Sequence, residues 1–595
     1  MGVVDRHPER LASPGLSPIS PQAERRRRIV TRLLPVALLG VVAFVAGVLV
    51  GGTSASEETA RRFLDAWAGK DFPAMHGELS ADAAKRYPLR RFTRMYEEAD
   101  ITATVERVEG DDPDGTGSIS GQEVVNIPVT VETHVFGVIS ANLALPVDGD
   151  EVAWKPHLVF PGLAPGEELD RDVEVPRRAP ILARDRTPLA EGDGAGRSSS
   201  VDGATLYVAG ELGAPKGEEA VAVQRAGFPA ATLVGTSGLE QAFETRLAGQ
   251  PGGELMAVGG QGGSEGERVL GTADPVPGEP VRTTINPKLQ EATAEALGNT
   301  FGGVAVLDAD NGNVLALAGI AFSSPQPPGS TFKVVTTVAA LERGVVKLND
   351  TFPVETSTVV GGREISNAHD EPCGGTFAQS FAKSCNTVFA PLGPEIGNDQ
   401  LVKTSERFGF NSPPALYNAE ATALTRPGES TIPTSIGTDL DLGVSAIGQG
   451  EVLATPLELA SISQTIAAGG VRSPTALVTE PGLKPNAEPV KVTSGQIAST
   501  VSDLMVGVVD EGTGTAAGIP GVEVAGKTGT AELGPAPVSP EEDGGEPEQE
   551  QDAWFTAFAP AGNPKLAVAV LVAGTTEDGG TVAAPIAREV LTAGL

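Results

Sequence analysis

The hydrophobic pattern divides this chain into five segments. Residues 1–32 open with Pro, Ser and charge but no apolar periodicity, which predicts a disordered tail. Leu33–Val50 reads LLPVALLGVVAFVAGVLV, eighteen apolar residues without a charge. That is enough to cross a hydrocarbon core of about 30 Å. Segment 54–165 opens with EETARRFLDAWAGKDF, where Phe63, Leu64 and Trp67 share one helical face. Further helices are predicted at Ala81–Arg86 and Leu89–Glu98. The runs ITATVERV, EVVNIPVTVETHVFGVI and ANLALPV alternate as strands do. Helices followed by strands predict a small α+β domain.

Segment 166–280 carries Pro and Gly breaks and the run GDGAGRSSS, which predicts a loosely built, elongated pedestal. Within it, EELDRDVEVP (167–176) reads as a solvated linker, and the Gly-rich stretch near 249–267 as the last flexible part. From Val281 the pattern tightens into the largest unit, 281–595. TTINPKLQEATAEAL predicts a strand and a helix, and GGVAVLDADNGNVLALAG a hairpin turning at Asn311-Gly312. DAWFTAFAPA (552–561) and LAVAVLVAG (566–574) predict two further strands.

Charge fixes the orientation of the apolar segment. Arg25–Arg28 and Arg32 lie only on its N-terminal side, so that side is expected in the cytoplasm and the rest outside the cell. A cleaved signal peptide would have a shorter apolar core. A lipoprotein would need a Cys directly after the run, whereas the two Cys are Cys373 and Cys385. The expectation is one membrane-spanning helix and an extracellular remainder. With Lys+Arg 43 against Asp+Glu 77, the net charge of −34 disfavours nucleic acid as a partner. Two Cys and five His leave no basis for a Cys-rich metal site, and neither a metal nor a cofactor is expected.

The candidate chemistry lies in 281–595. In PPGSTFKVVTTVAALERG (327–344), Ser330 stands at a helix start and Lys333 one turn later on the same face. This pairs a hydroxyl nucleophile with an amine that acts as base if burial or a neighbouring cation lowers its pKa. The helix N-terminus also offers N–H groups to a developing oxyanion. Alone the spacing says little, since it recurs at Ser380–Lys383. Two further motifs follow in order. Ser384-Cys385-Asn386 comes 54 residues after Ser330, and Lys527-Thr528-Gly529-Thr530 comes 143 residues after Ser384. The latter sits in VEVAGKTGTAE, a strand nearly bare of side chains against which an extended peptide could lie. His369 is the only His after residue 157, so a His-based triad is disfavoured, and it is read as a loop residue.

The ordered set Ser-x-x-Lys, Ser-x-Asn, Lys-Thr-Gly resembles that of the penicillin-binding transpeptidases. The resemblance extends across 281–595, through TTINPKLQ, Gly448-Gln449-Gly450 with ATPLELA, and AWFTAFAP. Upstream, RRAPILARDRTPLA (177–190) and VGTSGLEQAFETRLAGQPG (234–252) are similar to the pedestal, or dimerisation domain, of class B members. Ala179 stands where a Gly is usual, and Thr187-Pro188 replaces a Gly step. Residues 54–165 resemble the nuclear-transport-factor-2-like domain of MecA-type members, and no glycosyltransferase signature is present.

The resemblance implies an antiparallel sheet flanked by helices and a peptidoglycan D,D-transpeptidase that is acylated by β-lactams. Ser330 would attack the stem peptide and Lys333 would take its proton. Ser384 would relay it, and Asn386 would hold a substrate amide. Lys527 would keep Lys333 partly deprotonated. Thr528, Gly529 and Thr530 would bind the substrate, the two hydroxyls holding its carboxylate. Partners would be stem peptides, β-lactams, the membrane and a cell-wall synthesis complex.

Other readings remain open: a D,D-carboxypeptidase, and a non-catalytic β-lactam sensor or cell-wall-binding scaffold. Cys373 and Cys385 are either a disulfide, which an exported compartment permits, or two buried thiols. The acidic run 535–552 is read as a solvated loop, or as a flap over the cleft.

Overall fold

The computed structural model describes residues 54–119, 121–259, 267–418, 427–535 and 549–595. The expected tail, the apolar segment 33–50 and most of the acidic run lie outside these residues. Among the described residues, no helix is long and apolar enough to cross a membrane.

Helix α1 (Ala55–Ala68) begins at a capping box. Ser54 Oγ accepts from the Glu57 N–H, and the Glu57 carboxylate accepts from the Ser54 N–H. Its apolar face, Ala60, Phe63, Leu64 and Trp67, is buried. Helix α2 (Leu89–Ala103) runs past its predicted end and absorbs residues read as a strand. Phe92, Tyr96, Ala99 and Ala103 carry a buried stripe through that stretch, and this tertiary packing outweighs the β-branched residues. Strands β1 (Val105–Gly110), β2 (Gln122–Thr133) and β3 (Gly137–Asp148) form an antiparallel sheet in that order. Residues 134–136 make the β2–β3 turn, so EVVNIPVTVETHVFGVI is not one strand. The core holds Trp67, Phe92, Tyr96 and Trp154, with Trp154 Nε1 donating to Tyr96 Oη at 3.0 Å.

The linker read over 167–176 is corrected. Glu167–Glu174 is strand β4, paired antiparallel with β5 (Gly252–Gly259), which also pairs with β6 (Arg268–Ala273). Its acidic residues hid a period-2 alternation in which Leu169, Arg171 and Val173 turn inward. Leu169 packs against the Trp67 core, and Arg171 donates to the Ile101 carbonyl. Of the flexible stretch expected near 249–267, residues 252–259 are strand β5, whose Leu255 and Ala257 belong to the same core, and 260–266 lie outside the described residues. The chain between β4 and β5 packs the other way: Ile181, Leu189, Val208, Leu239 and Leu247 share a core with Val281 and Ile285.

The C-terminal unit contains α3 (Pro287–Leu297), β7 (Gly302–Asp308), β8 (Val314–Gly319), α4 (Lys333–Arg343), β9 (Ser357–Val360), β10 (Arg363–Ser366), β11 (Cys373–Thr376), α5 (Asn386–Ile396), α6 (Pro456–Ala467), β12 (Ala525–Pro535), β13 (Gln549–Ala559), β14 (Leu566–Thr575) and α7 (Ala583–Gly594). The predicted hairpin is β7–β8, but Asn311-Gly312 lies in a five-residue connection, 309–313, rather than a two-residue turn. The sheet order is β8–β7–β14–β13–β12, all antiparallel. Its residues alternate between two cores. Ala305, Leu307, Ala569 and Leu571 face the side of α6, whereas Val304, Val306, Val568 and Val570 face α3 and α7. Strand β12 is left at the edge, facing the start of α4.

Candidate active site

Ser330 lies in a 3-10 turn, Gly329–Phe332, that leads directly into α4. This turn is pressed against β12. A Cβ on Gly329, whose φ is +51°, would meet the Thr530 carbonyl, and one on Gly529 would lie 2.7 Å from the Pro328 carbonyl. Only glycine permits both approaches. Trp554 Nε1 donates to the Pro327 carbonyl and fixes the turn from β13.

Lys333 is fully buried, and its Nζ donates to Ser384 O (2.7 Å), Asn386 Oδ1 (2.7 Å) and Ser384 Oγ (3.2 Å). Lys527, also fully buried, reaches Ser384 Oγ from β12 at 2.9 Å and Thr528 O at 3.0 Å. Ser384 Oγ thus bridges two lysines brought from opposite walls. Among the described residues Ser330 Oγ has no hydrogen-bond partner, and Ser330 is partly exposed. The structure therefore unites Lys333, Ser384, Asn386 and Lys527 through hydrogen bonds, at the base of the turn that presents Ser330. Ser380 of the look-alike Ser380–Lys383 spacing is instead buried, with an unpartnered hydroxyl, while Lys383 is exposed.

Comparison with known proteins gives the family. The penicillin binding protein transpeptidase domain family matches residues 302–592. The penicillin-binding protein dimerisation domain matches 197–283, and the NTF2-like N-terminal transpeptidase domain matches 55–167. The chain is 35% identical over 376 residues to peptidoglycan D,D-transpeptidase PbpA of Mycobacterium tuberculosis, covering 53% of this chain and 72% of that protein. The chain belongs to the class B penicillin-binding proteins. A structure of penicillin-binding protein A from M. tuberculosis, as a penicillin G acyl-enzyme complex, superposes with a TM-score of 0.51 at 29% identity, covering 70% of this chain and 99% of that one. The D,D-transpeptidase domain of a peptidoglycan glycosyltransferase from Eggerthella lenta superposes with a TM-score of 0.51 at 28% identity, covering 70% and 98%.

In this penicillin-binding protein, burial is the main cause of the lysines' altered basicity. It lowers Lys333 well below the usual lysine range, and the neighbouring Lys527 lowers it further. The sequence left burial and a neighbouring cation open as causes and named only the cation, Lys527. Burial also brings Lys527 down to about 7. The Phe389 and Phe381 rings face the two ammonium groups at 5.4 and 5.7 Å, and among the described residues neither lysine forms an ion pair.

Ser384 has a left-handed φ of +62°. Its conformation is clamped by Lys333 on its carbonyl and by the Cys373–Cys385 disulfide, with Cα atoms 5.3 Å apart, which ties the following residue to β11. This settles the open Cys reading in favour of the bond. Asn386 is oriented by its own amide, which donates to the Ser366 carbonyl at 2.9 Å.

Thr528 is buried with Oγ1 2.5 Å from Thr513 Oγ1, while Thr530 is partly exposed and donates to Asp578 Oδ1 at 3.3 Å. Thr513 and Asp578 had no sequence signal. They come from the start of a turn and from the β14–α7 connection, and only the fold brings them to β12. His369 sits on a short 3-10 turn and contacts Asp578 as well.

Proposed function

We propose that this protein is a membrane-anchored peptidoglycan D,D-transpeptidase working through an acyl-enzyme on Ser330. The observation that carries the reading is the Lys333–Ser384–Lys527 chain beneath the turn bearing Ser330. A neutral Lys333 has two protons and one lone pair. Its shortest contacts, Ser384 O and Asn386 Oδ1, take the two protons. The lone pair is then free to accept the Ser330 hydroxyl proton as Oγ attacks the stem-peptide carbonyl.

Lys527 donates to Ser384 Oγ, which directs the Ser384 proton away from itself and towards the departing amine. Collapse of the tetrahedral intermediate expels that amine, protonated through Ser384, and leaves the ester on Ser330. The Ser330 and Thr530 N–H groups would stabilise the oxyanion. An amine from a second stem peptide then attacks the ester, Lys333 takes its proton, and the cross-link forms with Ser330 restored. Asn386 would hold the acyl side and Thr528–Thr530 the terminal carboxylate. The anchor rests on the apolar run 33–50 with Arg25–Arg28 before it, and a cell-wall synthesis complex is its expected setting.

The test is covalent labelling of the full-length protein by a fluorescent penicillin. Wild type should label and Ser330→Ala should not. Stem-peptide thioester turnover with a D-amino acid acceptor should give the exchanged product. A wild type that neither labels nor turns over, or a Ser330→Ala variant that labels equally, would refute the assignment.

A further inference from the structure

The two walls of the cleft meet a second time, at the rim. His369 Nε2 lies 2.8 Å from Asp578 Oδ2, and Asp578 Oδ1 accepts from Thr530 Oγ1. His369 belongs to the turn after β10, immediately beyond Ser366 and Asn367. Ser366 O holds the Asn386 amide, and Asn367 Oδ1 accepts the Thr387 N–H. Asp578 belongs to the loop after β14, which packs on β12; a Cβ on Gly579 would lie 2.5 Å from the Gly529 carbonyl. His369–Asp578 therefore spans from the Asn386 wall to the Thr530 wall. His369 and Asp370 both hold left-handed φ values, +55° and +52°, uncommon for non-glycine residues. The Asn367 side chain braces that turn by donating to the Glu355 and Glu371 carbonyls.

We propose that His369 and Asp578 are positioning residues that tune the anion-binding end of the cleft through the Thr530 hydroxyl. This rests on the transpeptidase reading, in which Thr530 binds the ligand carboxylate. Thr530 has one hydroxyl proton, and in this structure Asp578 receives it. A ligand carboxylate must compete for that proton and approach a second carboxylate. A protonated His369 offsets both effects, because it holds Asp578 by its other oxygen and neutralises its charge. A neutral His369 leaves Asp578 repelling the ligand.

The carboxylates acting on His369 come from three directions: Asp578 from the β14–α7 loop, Glu371 from its own turn and Glu532 from β12. The hydrogen bond to Asp578 raises the His369 pKa, so the imidazolium persists above the usual His range. Binding of anionic ligands should therefore weaken as pH rises through that value.

The test measures second-order acylation of the full-length protein by benzylpenicillin and by its neutral methyl ester, from pH 6 to 8.5. Taking each variant's rate relative to wild type at each pH removes the titration of the lysines. The pair is exposed, so effects of about three- to fivefold are expected. His369→Gln should be slower by that factor at pH 6 with benzylpenicillin and equal to wild type at pH 8.5. His369→Lys should keep the faster rate at both ends. Asp578→Asn should stay fast throughout, and the methyl ester should show none of these differences. The effect should fall on the apparent affinity and not on the limiting acylation rate. A His369→Gln ratio that is flat with pH, or the same ratio for the ester, would overturn the proposal. Absence of any acylation in wild type would instead count against the acyl-enzyme reading.

Discussion

Two regions of this molecule bury cations, and they treat them in opposite ways. In the segment between β4 and β5, Arg178 and Arg197 converge on Glu240, whose side chain is only 1% exposed. Arg178 also makes a forked pair with Glu244 at 3.0 and 2.7 Å, and Arg197 donates to the Ala179 and Ala190 carbonyls. Charge there is matched by charge. In the cleft, Lys333 and Lys527 are buried more completely, and among the described residues they contact neutral oxygens and aromatic rings but no carboxylate. The matched cluster ties 177–197 to 234–247. The unmatched pair favours losing a proton, which makes an amine into a base. Burial alone does not mark a catalytic group; burial without a counter-charge is what separates these two sites.

The comparison breaks most visibly at Lys333. Lys333→Met should lower β-lactam acylation by about 10³-fold, the scale of a lost general base. Folding should change little, because removing a costly buried amine offsets the donors lost by Ser384 and Asn386. Acylation kinetics and a thermal melt on the same preparation decide it. A fall in Tm as large as that of a pedestal charge variant would mean that the lysine is structural too.

The converse substitution is Glu240→Gln. It leaves two buried guanidiniums sharing one carboxylate, Glu244, at a cost of about 3 kcal/mol. Tm should fall while acylation per folded molecule stays at the wild-type value. If acylation fell before stability did, this cluster would be coupled to the cleft.

Much of this contrast was legible in the sequence. Ser330, Lys333, Ser384, Asn386 and Lys527 stood out because local motifs fix their chemistry, and the glycines that let β12 approach Ser330 lie within or beside those motifs. The helical face of α1 was readable from period alone. Three kinds of feature were not. Strand β4 was masked by its acidic outer face, and its partner β5, more than eighty residues on, by glycines. The end of α2 was set by a buried stripe that outweighed local propensity. Asp578 and Thr513 reach the site only through long-range contacts, and a lone Asp or Thr carries no pattern. The weight of burial in the low Lys333 basicity was not legible either, since sequence shows a neighbouring lysine but not how deeply an amine is buried.

That last point gives the smallest and sharpest effect. In the proposed mechanism acylation needs a neutral Lys333. Its pKa is depressed by burial first and by Lys527 second, and Lys527 itself sits at about 7. Each lysine's charge disfavours protonation of the other, so the pair titrates as a unit. The acid limb of the wild-type profile should therefore lie well below the usual lysine range. Lys527→Met removes the charge and keeps the burial. The Lys333 pKa then rises, and the limb moves to higher pH. The profile is normalised to its own plateau, so the separate loss of rate from removing Lys527 does not obscure the shift. A limb that stays in place would assign the whole depression to burial. A limb that moves to lower pH would mean that Lys527 raises the Lys333 pKa instead of lowering it, and the contrast with the matched pedestal charges would have to be redrawn.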